Sequence, residues 1–293
     1  MKTTFLTSVI LVLITVILLY GCKSESSAEQ DGSADSVDVA SSWKLGVAFW
    51  TFHAFSLPEA LNKIDSAGID YIEAVTFFKS GAELKDSLIG DLSPAGIEKV
   101  KAMLASHRLT VESMYIDGGT TVDSWVRQFE MAKTMGAKFV TTEPPLKMWD
   151  ELDSLAGVYG MKVAIHEHWK GVSKYWHPDS VLAAIKGHPN FGACADLGHW
   201  PKSGVDPLEA VKTLEGHIIS VHLKDIAEMN NPKLMDVPAG TGIVDFPAIF
   251  AELKRQKFNG PIYIERDAED KPSNLPSVIK TVEYFNTEVA KLK

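Results

Sequence analysis

The sequence predicts one α/β domain, a single (β/α)8 TIM barrel, preceded by a lipoprotein signal peptide and a disordered tether. Strand-like and helix-like segments alternate eight times between residues 43 and 293, which is typical of parallel strands joined by right-handed crossovers. A length of about 250 residues is usual for such a barrel. No G-x-G-x-x-G motif follows the first strand-like segment, which disfavours the competing open, doubly wound sheet.

The predicted strands are short segments of apolar or alternating residues, bounded by Gly, Pro or polar side chains. They comprise residues 44–52, 69–77, 109–116, 137–143, 161–168, 191–196, 217–223 and 260–265. In the sixth, FGACAD, the side chains of Gly192, Cys194 and Asp196 share one face because side chains alternate along a strand. The first two side chains on that face are small, and the third is a carboxylate.

The predicted helices begin at capping residues and end at glycine. Ser56 and Glu59 resemble a capping box with a proline near the helix start, and apolar residues follow Leu57 at helical spacing as far as Gly68. Further helices are predicted at residues 93–104, 121–135, 149–159, 180–186, 206–214, 245–257 and 276–291.

The N-terminal residues predict export and a membrane anchor. A positive start and an apolar run at residues 5–20 indicate a signal peptide at residues 1–21. LLYGC resembles a bacterial lipobox, in which Cys22 would carry lipid; an uncleaved anchor is the alternative. Residues 22–42 have few large apolar side chains and predict a disordered tether before the barrel at residues 43–293. The expected location is the bacterial cell envelope, lipid-anchored, in the periplasm or on the surface.

The net charge and the cysteine content disfavour nucleic acid as a partner and a framework of disulfide bonds. The formal net charge is −9, and the chain has no basic stripe, so nucleic acid is not an expected partner. With Cys22 lipidated, Cys194 stands alone and no disulfide framework follows. The sequence leaves the oligomeric state open.

Metal-capable side chains end the last four predicted strands. These are Glu167, Asp196, His222 and Glu265. Active groups of such barrels lie at the carboxyl ends of the strands, so we expect the four to meet at one rim. Three carboxylates and one imidazole suit one divalent metal ion, with Mn²⁺ favoured and Mg²⁺, Co²⁺ or Zn²⁺ as alternatives. Without a cation the carboxylates would repel each other.

The segments VAIHEHW, ADLGHWPKSGVDP, ISVHLKD, VPAGTGIVDFPAIFAEL and GPIYIERD together resemble the xylose-isomerase-like barrel family of sugar isomerases and epimerases. The resemblance covers residues 44–293. It implies that Glu167, Asp196, His222 and Glu265 bind one divalent ion, with the two glutamates as proton-transfer bases. It also implies that His199 contacts the substrate beside the metal.

Further residues near the strand ends are candidates for substrate binding. Aromatic faces suit the C–H faces of sugars, although plain packing is the alternative, and polar side chains can bond hydroxyl groups. The candidates beside His199 are Trp50, His53, Glu143, His168, Trp200 and Lys224.

The predicted function is a metal-dependent isomerase or epimerase of an unphosphorylated sugar or keto-sugar, acting through an enediolate. An exported protein without a Gly-rich loop or clustered arginines is not suited to sugar phosphates. Alternatives are a hydratase, dehydratase or lyase that uses the same enolate on a keto-sugar or keto-polyol, and a non-catalytic sugar-binding lipoprotein. His166-x-His168 also resembles the H-x-H pair of amidohydrolases, but that pair ends the first strand in those enzymes and the fifth strand here, which disfavours a metallo-hydrolase. An apurinic endonuclease is disfavoured because the acidic net charge would repel DNA.

Overall fold

The computed structural model describes residues 39–292. The predicted signal peptide, the lipidation site Cys22 and the tether as far as residue 38 lie outside the described residues. Val39–Ser42 forms a 3₁₀ helix, and the side chain of Ala40 is buried in the core. These four residues lie within the predicted tether, and the Ala40 side chain packs with the core of the domain.

Eight parallel strands close into a barrel, which confirms the predicted fold. The strands are β1 (Lys44–Ala48), β2 (Tyr71–Val75), β3 (Thr110–Tyr115), β4 (Phe139–Thr142), β5 (Lys162–Ile165), β6 (Phe191–Asp196), β7 (Ile218–Leu223) and β10 (Pro261–Ile264). Their order around the barrel is β1-β10-β7-β6-β5-β4-β3-β2. Two further short strands, β8 (Asp225–Ile226) and β9 (Asp236–Val237), form an antiparallel pair in the loop after β7.

The helices surround the barrel close to the predicted positions. They are α1 (Leu57–Ser66), α2 (Pro94–Ser106), α3 (Val122–Met135), α4 (Trp149–Tyr159), α5 (Pro178–Ile185), α6 (His199–Lys202), α7 (Pro207–Thr213), α8 (Phe246–Arg255) and α9 (Leu275–Ala290). The short helix α6 was not predicted. Within residues 39–292, no helix combines the length and the apolar character needed to cross a bilayer.

The capping residues and the glycine predicted at helix ends adopt the expected local structure. The capping box of α1 forms, with the backbone N–H of Ser56 donating to Glu59 Oε2 at 2.9 Å. Asp206 and Asp245 cap α7 and α8 through their carboxylates. Gly136 ends α3 in the left-handed conformation at φ 87°, which glycine adopts without a steric cost.

Strand alternation divides the core into two layers. A large apolar cluster lies between strands and helices and includes Val163 and Ile165 of β5. A small cluster fills the inside of the barrel and consists of Ala48, Phe139, Ala164, Cys194 and Tyr263. Because neighbours along a strand point to opposite faces, residues an even number of positions from Ala164, Cys194 and Tyr263 also point inward.

Candidate metal centre and substrate cavity

Four strand ends bring metal-capable side chains together inside the barrel. Two residues beyond Ala164, Cys194, Ser220 and Tyr263, the chain places His166, Asp196, His222 and Glu265. All four are buried, and one ligand atom from each lies within 4.8 Å of the others. Alternation along β5, β6, β7 and β10 thus aims all four at a common point.

The distances within this group, the metal-ligand cluster, fit a shared cation. His166 Nε2 and His222 Nδ1 lie 3.5 Å and 3.6 Å from Asp196 Oδ2. His222 Nδ1 lies 2.6 Å from Glu265 Oε2, yet the two atoms do not meet the angular requirements of a hydrogen bond. Such an arrangement is expected when both atoms point at a third atom rather than at each other.

Unsatisfied polar atoms support the same interpretation. Both ring nitrogens of His166, Asp196 Oδ2, His222 Nδ1 and Glu265 Oε2 are buried without a hydrogen-bond partner. Buried polar atoms rarely stay unpaired in native proteins, and a divalent cation would satisfy one atom from each residue at once. Two imidazoles and two carboxylates form a donor set that transition-metal ions and Zn²⁺ accept.

Glu167, predicted as the ligand from the fifth strand, does not belong to this group. It lies two residues after Ile165, on the face that packs between strands and helices. Its Oε1 accepts a hydrogen bond from the Asp196 N–H at 2.7 Å, and its Oε2 is buried without a partner. Burial raises the pKa of Glu167 well above its usual value. The one-residue difference from His166 decides which side chain enters the barrel, because the side-chain period is two.

Glu73 orients His222, one of the two histidines of the cluster, a role that sequence reasoning missed. Its Oε1 lies 2.9 Å from His222 Nε2, and Ser113 Oγ donates to its Oε2 at 2.8 Å. Thr141 also hydrogen-bonds this carboxylate. A carboxylate on the far ring nitrogen fixes the orientation of a metal-binding imidazole. The available signal was an acidic residue near the end of the predicted second strand.

Lys224 lies at the edge of the cluster. Its Nζ is 3.1 Å from Asp196 Oδ2, 3.2 Å from Glu265 Oε2 and 3.1 Å from Asp267 Oδ2. Burial acts to lower the pKa of Lys224, but these three carboxylates hold it well above the usual value. The ammonium is therefore charged and available as a hydrogen-bond donor. Gly198 makes room for it, since a Cβ there would lie 2.5 Å from Lys224 Cγ.

A second polar group adjoins the cluster on its β4 side. Glu143 accepts hydrogen bonds from His168 and, at 2.6 Å, from Ser173 Oγ. His166 Nδ1 lies 3.8 Å from the same carboxylate. Burial acts to raise the pKa of Glu143, but His166 and His168 lower it far more. Glu143 thus holds the His168 imidazole in place and lies beside that of His166.

A cavity of about 540 Å³ opens over the metal-ligand cluster, which is within the range of small-molecule sites. Of the residues predicted to bind substrate, four line it directly. They are Trp50, His168, His199 and Lys224. Glu143 reaches the cavity only through its bond to His168.

Two predicted substrate residues lie elsewhere. Trp200 is fully buried and is not part of the cavity lining. His53 stacks on Trp50 at 4.5 Å between ring centroids, and its Nε2 lies 3.1 Å from Glu269. His53 lines a separate, smaller cavity and packs against Trp50 outside the lining of the substrate cavity.

The cavity also contains residues outside the set predicted to bind substrate. They are Val75, Phe77, Tyr115, Trp169, Lys202, Asp267 and residues 232–235. Asp267 follows Glu265 by two positions and Lys202 follows His199 by three, so nearness to a candidate was the only signal. Tyr115 comes from β3, whose end carried no metal-capable residue.

Comparison with known proteins agrees with this architecture. A family model described as xylose isomerase-like TIM barrel matches residues 61–286. The chain is 30% identical over 151 residues to an inosose dehydratase of Clostridium botulinum (strain Alaska E43 / Type E3), covering 46% of this chain and 48% of that protein. It is 30% identical over 105 residues to L-ribulose-5-phosphate 3-epimerase UlaE of Shigella flexneri serotype 5b, covering 36% of each. The chain thus spans half or less of the length of these relatives.

Two solved structures share the fold over most of the chain. An uncharacterised protein from Parabacteroides distasonis ATCC 8503 is 36% identical, with a TM-score of 0.66, covering 84% of this chain and 99% of that one. The IolI protein, solved with a zinc atom, is 20% identical with a TM-score of 0.70, covering 85% and 99%. The relatives agree with the predicted enzyme class, an isomerase or epimerase with a dehydratase as alternative.

Proposed function

The chain belongs to the xylose isomerase-like TIM barrel family, and we propose that it is a divalent-metal-dependent enzyme that enolises an unphosphorylated sugar or keto-sugar. The isomerase or epimerase reaction is the first candidate. The observation that carries the proposal is the convergence of four buried ligand atoms within 4.8 Å at the floor of a cavity. The named relatives, a dehydratase and an epimerase, support the same general chemistry.

His166, Asp196, His222 and Glu265 would hold the ion. When bound, a divalent cation acts as a Lewis acid that polarises the substrate carbonyl and favours loss of the neighbouring proton. Two imidazoles in the donor set support Zn²⁺ beside the Mn²⁺ that the sequence favoured, since imidazole suits Zn²⁺ and carboxylates suit Mn²⁺. Metal analysis of the purified protein decides between these ions.

Glu265 is the proposed proton acceptor. It lines the cavity, and although burial acts to raise its pKa, His222 and Lys224 lower it below the usual value. The carboxylate is therefore ionised at neutral pH, as a general base must be. Lys224, charged and 3.2 Å from Glu265 Oε2, can donate to an oxygen that becomes negative as the proton leaves.

The inside of the barrel supports one-base chemistry better than the two-base epimerisation expected from the sequence. That mechanism needs carboxylates on both sides of the substrate, and Glu167 lies outside the cavity lining while His166 points inward. A single base that returns the proton to the adjacent carbon supports aldose–ketose isomerisation.

Dehydration of a keto-sugar or keto-polyol is the second candidate, and Lys224 favours it. Loss of a β-hydroxyl group needs an acid near the leaving oxygen. The Lys224 ammonium lines the cavity beside the base. The similarity to an inosose dehydratase supports the same reaction.

Proton NMR in D₂O tests the proposal. Metal-loaded protein is incubated with a panel of aldoses, ketoses and keto-inositols. Isomerisation or epimerisation introduces deuterium without loss of water, whereas dehydration removes water. Glu265→Gln should abolish exchange; because Glu265 is also a proposed metal ligand, the variant is assayed at a metal concentration that keeps the site loaded. Lys63→Gln on α1, outside the cavity lining, serves as the control. No carbon-bound deuterium with any substrate, in protein shown to contain metal, would leave a sugar-binding role.

We also infer that the enzyme works in the cell envelope, lipid-anchored through Cys22. Support comes from the lipobox-like LLYGC and the apolar run before it. Export keeps the enzyme from cytoplasmic sugar phosphates and thus supports an unphosphorylated substrate.

A further inference from the structure

Lys202, the last residue of α6, is a largely buried lysine whose ammonium forms no ion pair with a described carboxylate. It is 5% exposed and lines the cavity above the metal-ligand cluster. Its Nζ lies 4.4 Å from the centre of the Trp169 ring. Among residues 39–292 its ammonium has no hydrogen bond and no ion pair. Its Nζ is not among the fully buried atoms that lack a hydrogen-bond partner, so the buried part of the side chain is its aliphatic stem and the ammonium faces the cavity.

The other buried charged groups that line the cavity have partners, whereas Lys233 is exposed. Lys224 pairs with Asp196, Glu265 and Asp267, and Glu73 pairs with His222. Asp267, the carboxylate that acts most strongly on Lys202, is thus already engaged. The cavity lining contains no arginine. Among the buried cations that line this cavity, Lys202 is therefore the one that forms no ion pair with a described carboxylate.

Trp169 connects Lys202 with the metal-ligand cluster. Its ring centroid lies 5.4 Å from that of His199, and His199 Nε2 lies 3.1 Å from Lys224 Nζ. Lys202 is thus one aromatic ring away from the groups that surround the proposed reaction centre. One small substrate can contact the cluster with its carbonyl end and Lys202 with its other end.

We propose that Lys202 binds a carboxylate of the substrate, and that the natural substrate is a sugar acid or keto-sugar acid rather than a neutral sugar. The inference rests on the proposed function, because it assumes that the substrate occupies this cavity. A single buried ammonium matches one negative charge, and a phosphate group would call for several donors or an arginine fork. Burial lowers the pKa of Lys202, and a bound carboxylate would restore the charged form.

Calorimetric binding to the metal-loaded protein tests the proposal with matched pairs. The probes are D-glucuronate against D-glucose and D-gluconate against D-glucitol, which differ in a carboxylate, with D-glucose 6-phosphate as a third arm. We expect the acids to bind about ten- to a hundredfold more tightly than their neutral counterparts, as for a hydrogen bond to a charged group. Lys202→Met should remove this preference, and Lys202→Arg should keep most of it.

Lys170→Met is the matched control. Lys170 also lies over a tryptophan, 4.9 Å from the ring of Trp176, but it is exposed and outside the cavity lining. This variant should keep the full preference for acids. The comparison separates carboxylate binding from a structural cation–π role, which would weaken acid and neutral probes equally.

Three results overturn the proposal. They are equal or absent binding of acid and neutral probes by the unaltered protein, an acid preference that survives Lys202→Met, and tighter binding of the phosphate than of the acids. The first needs no variant and holds even if Lys202→Met fails to fold. If neutral sugars exchange deuterium without any acid preference, this inference fails and the proposed function stands. If acids bind through Lys202 but no probe exchanges, the proposed function fails instead.

Discussion

The adjacent pair His166 and Glu167 provides a sharp test of the metal-ligand cluster. Replacing His166 with Ala removes one of four ligand atoms that lie within 4.8 Å of one another. Replacing Glu167 with Gln leaves the cluster intact. The side-chain carbonyl of the introduced glutamine can still accept the Asp196 N–H that now bonds Glu167 Oε1.

The expected loss can be estimated from known sites. Four-ligand structural zinc sites contribute about 10–16 kcal/mol, so one ligand contributes about 3 kcal/mol. That corresponds to a decrease in affinity of about a hundredfold for His166→Ala. For Glu167→Gln we expect less than about a threefold change.

The assay is metal affinity by competition with a chelator, followed by elemental analysis of the dialysed protein. Thermal unfolding without metal serves as the folding control for both variants. Equal losses of metal from both variants, or loss from Glu167→Gln alone, would refute the assignment of the inward face of β5. Retention of metal by His166→Ala at wild-type affinity would do the same.

Three other changes have defined outcomes. Gly198→Ala should displace Lys224, since the new Cβ would meet Lys224 Cγ at 2.5 Å; turnover should fall while bound metal, measured by elemental analysis, is retained. Burial acts to raise the pKa of Glu112, but Lys138 and Lys44 lower it below the usual value. Its stabilising effect is therefore present above the unfolded-state pKa and is lost as the pH falls through the folded-state pKa. Glu112→Gln should lower the free energy of unfolding, measured in urea, by about 1–2 kcal/mol at pH 7 and by much less at acid pH. Cys22→Ala should move the protein from the membrane fraction to the soluble fraction and abolish incorporation of labelled fatty acid; unchanged labelling would contradict a lipid anchor at this residue.

Local pattern was sufficient for the architecture. The alternation of strands and helices, the capping signal at Ser56 and the glycine stops depend on interactions within a few residues, which a sequence displays directly. Asp196, His222 and Glu265 could be proposed as a group for the same reason. Each ends a strand, and parallel strands in a barrel present their carboxyl ends on one face.

Tertiary structure decided which side chains enter the barrel and which partners they meet. A shift of one residue along a strand moves every side chain to the opposite face of the sheet. The choice between His166 and Glu167 as the inward-facing residue therefore depended on the packing of Ala164 in the barrel interior. The contact between Glu73 and His222 spans 149 positions, and no local pattern encodes such a contact. That Lys202 forms no ion pair with a described carboxylate is likewise decided by the folded cavity, because the neighbours of a side chain come from distant parts of the sequence.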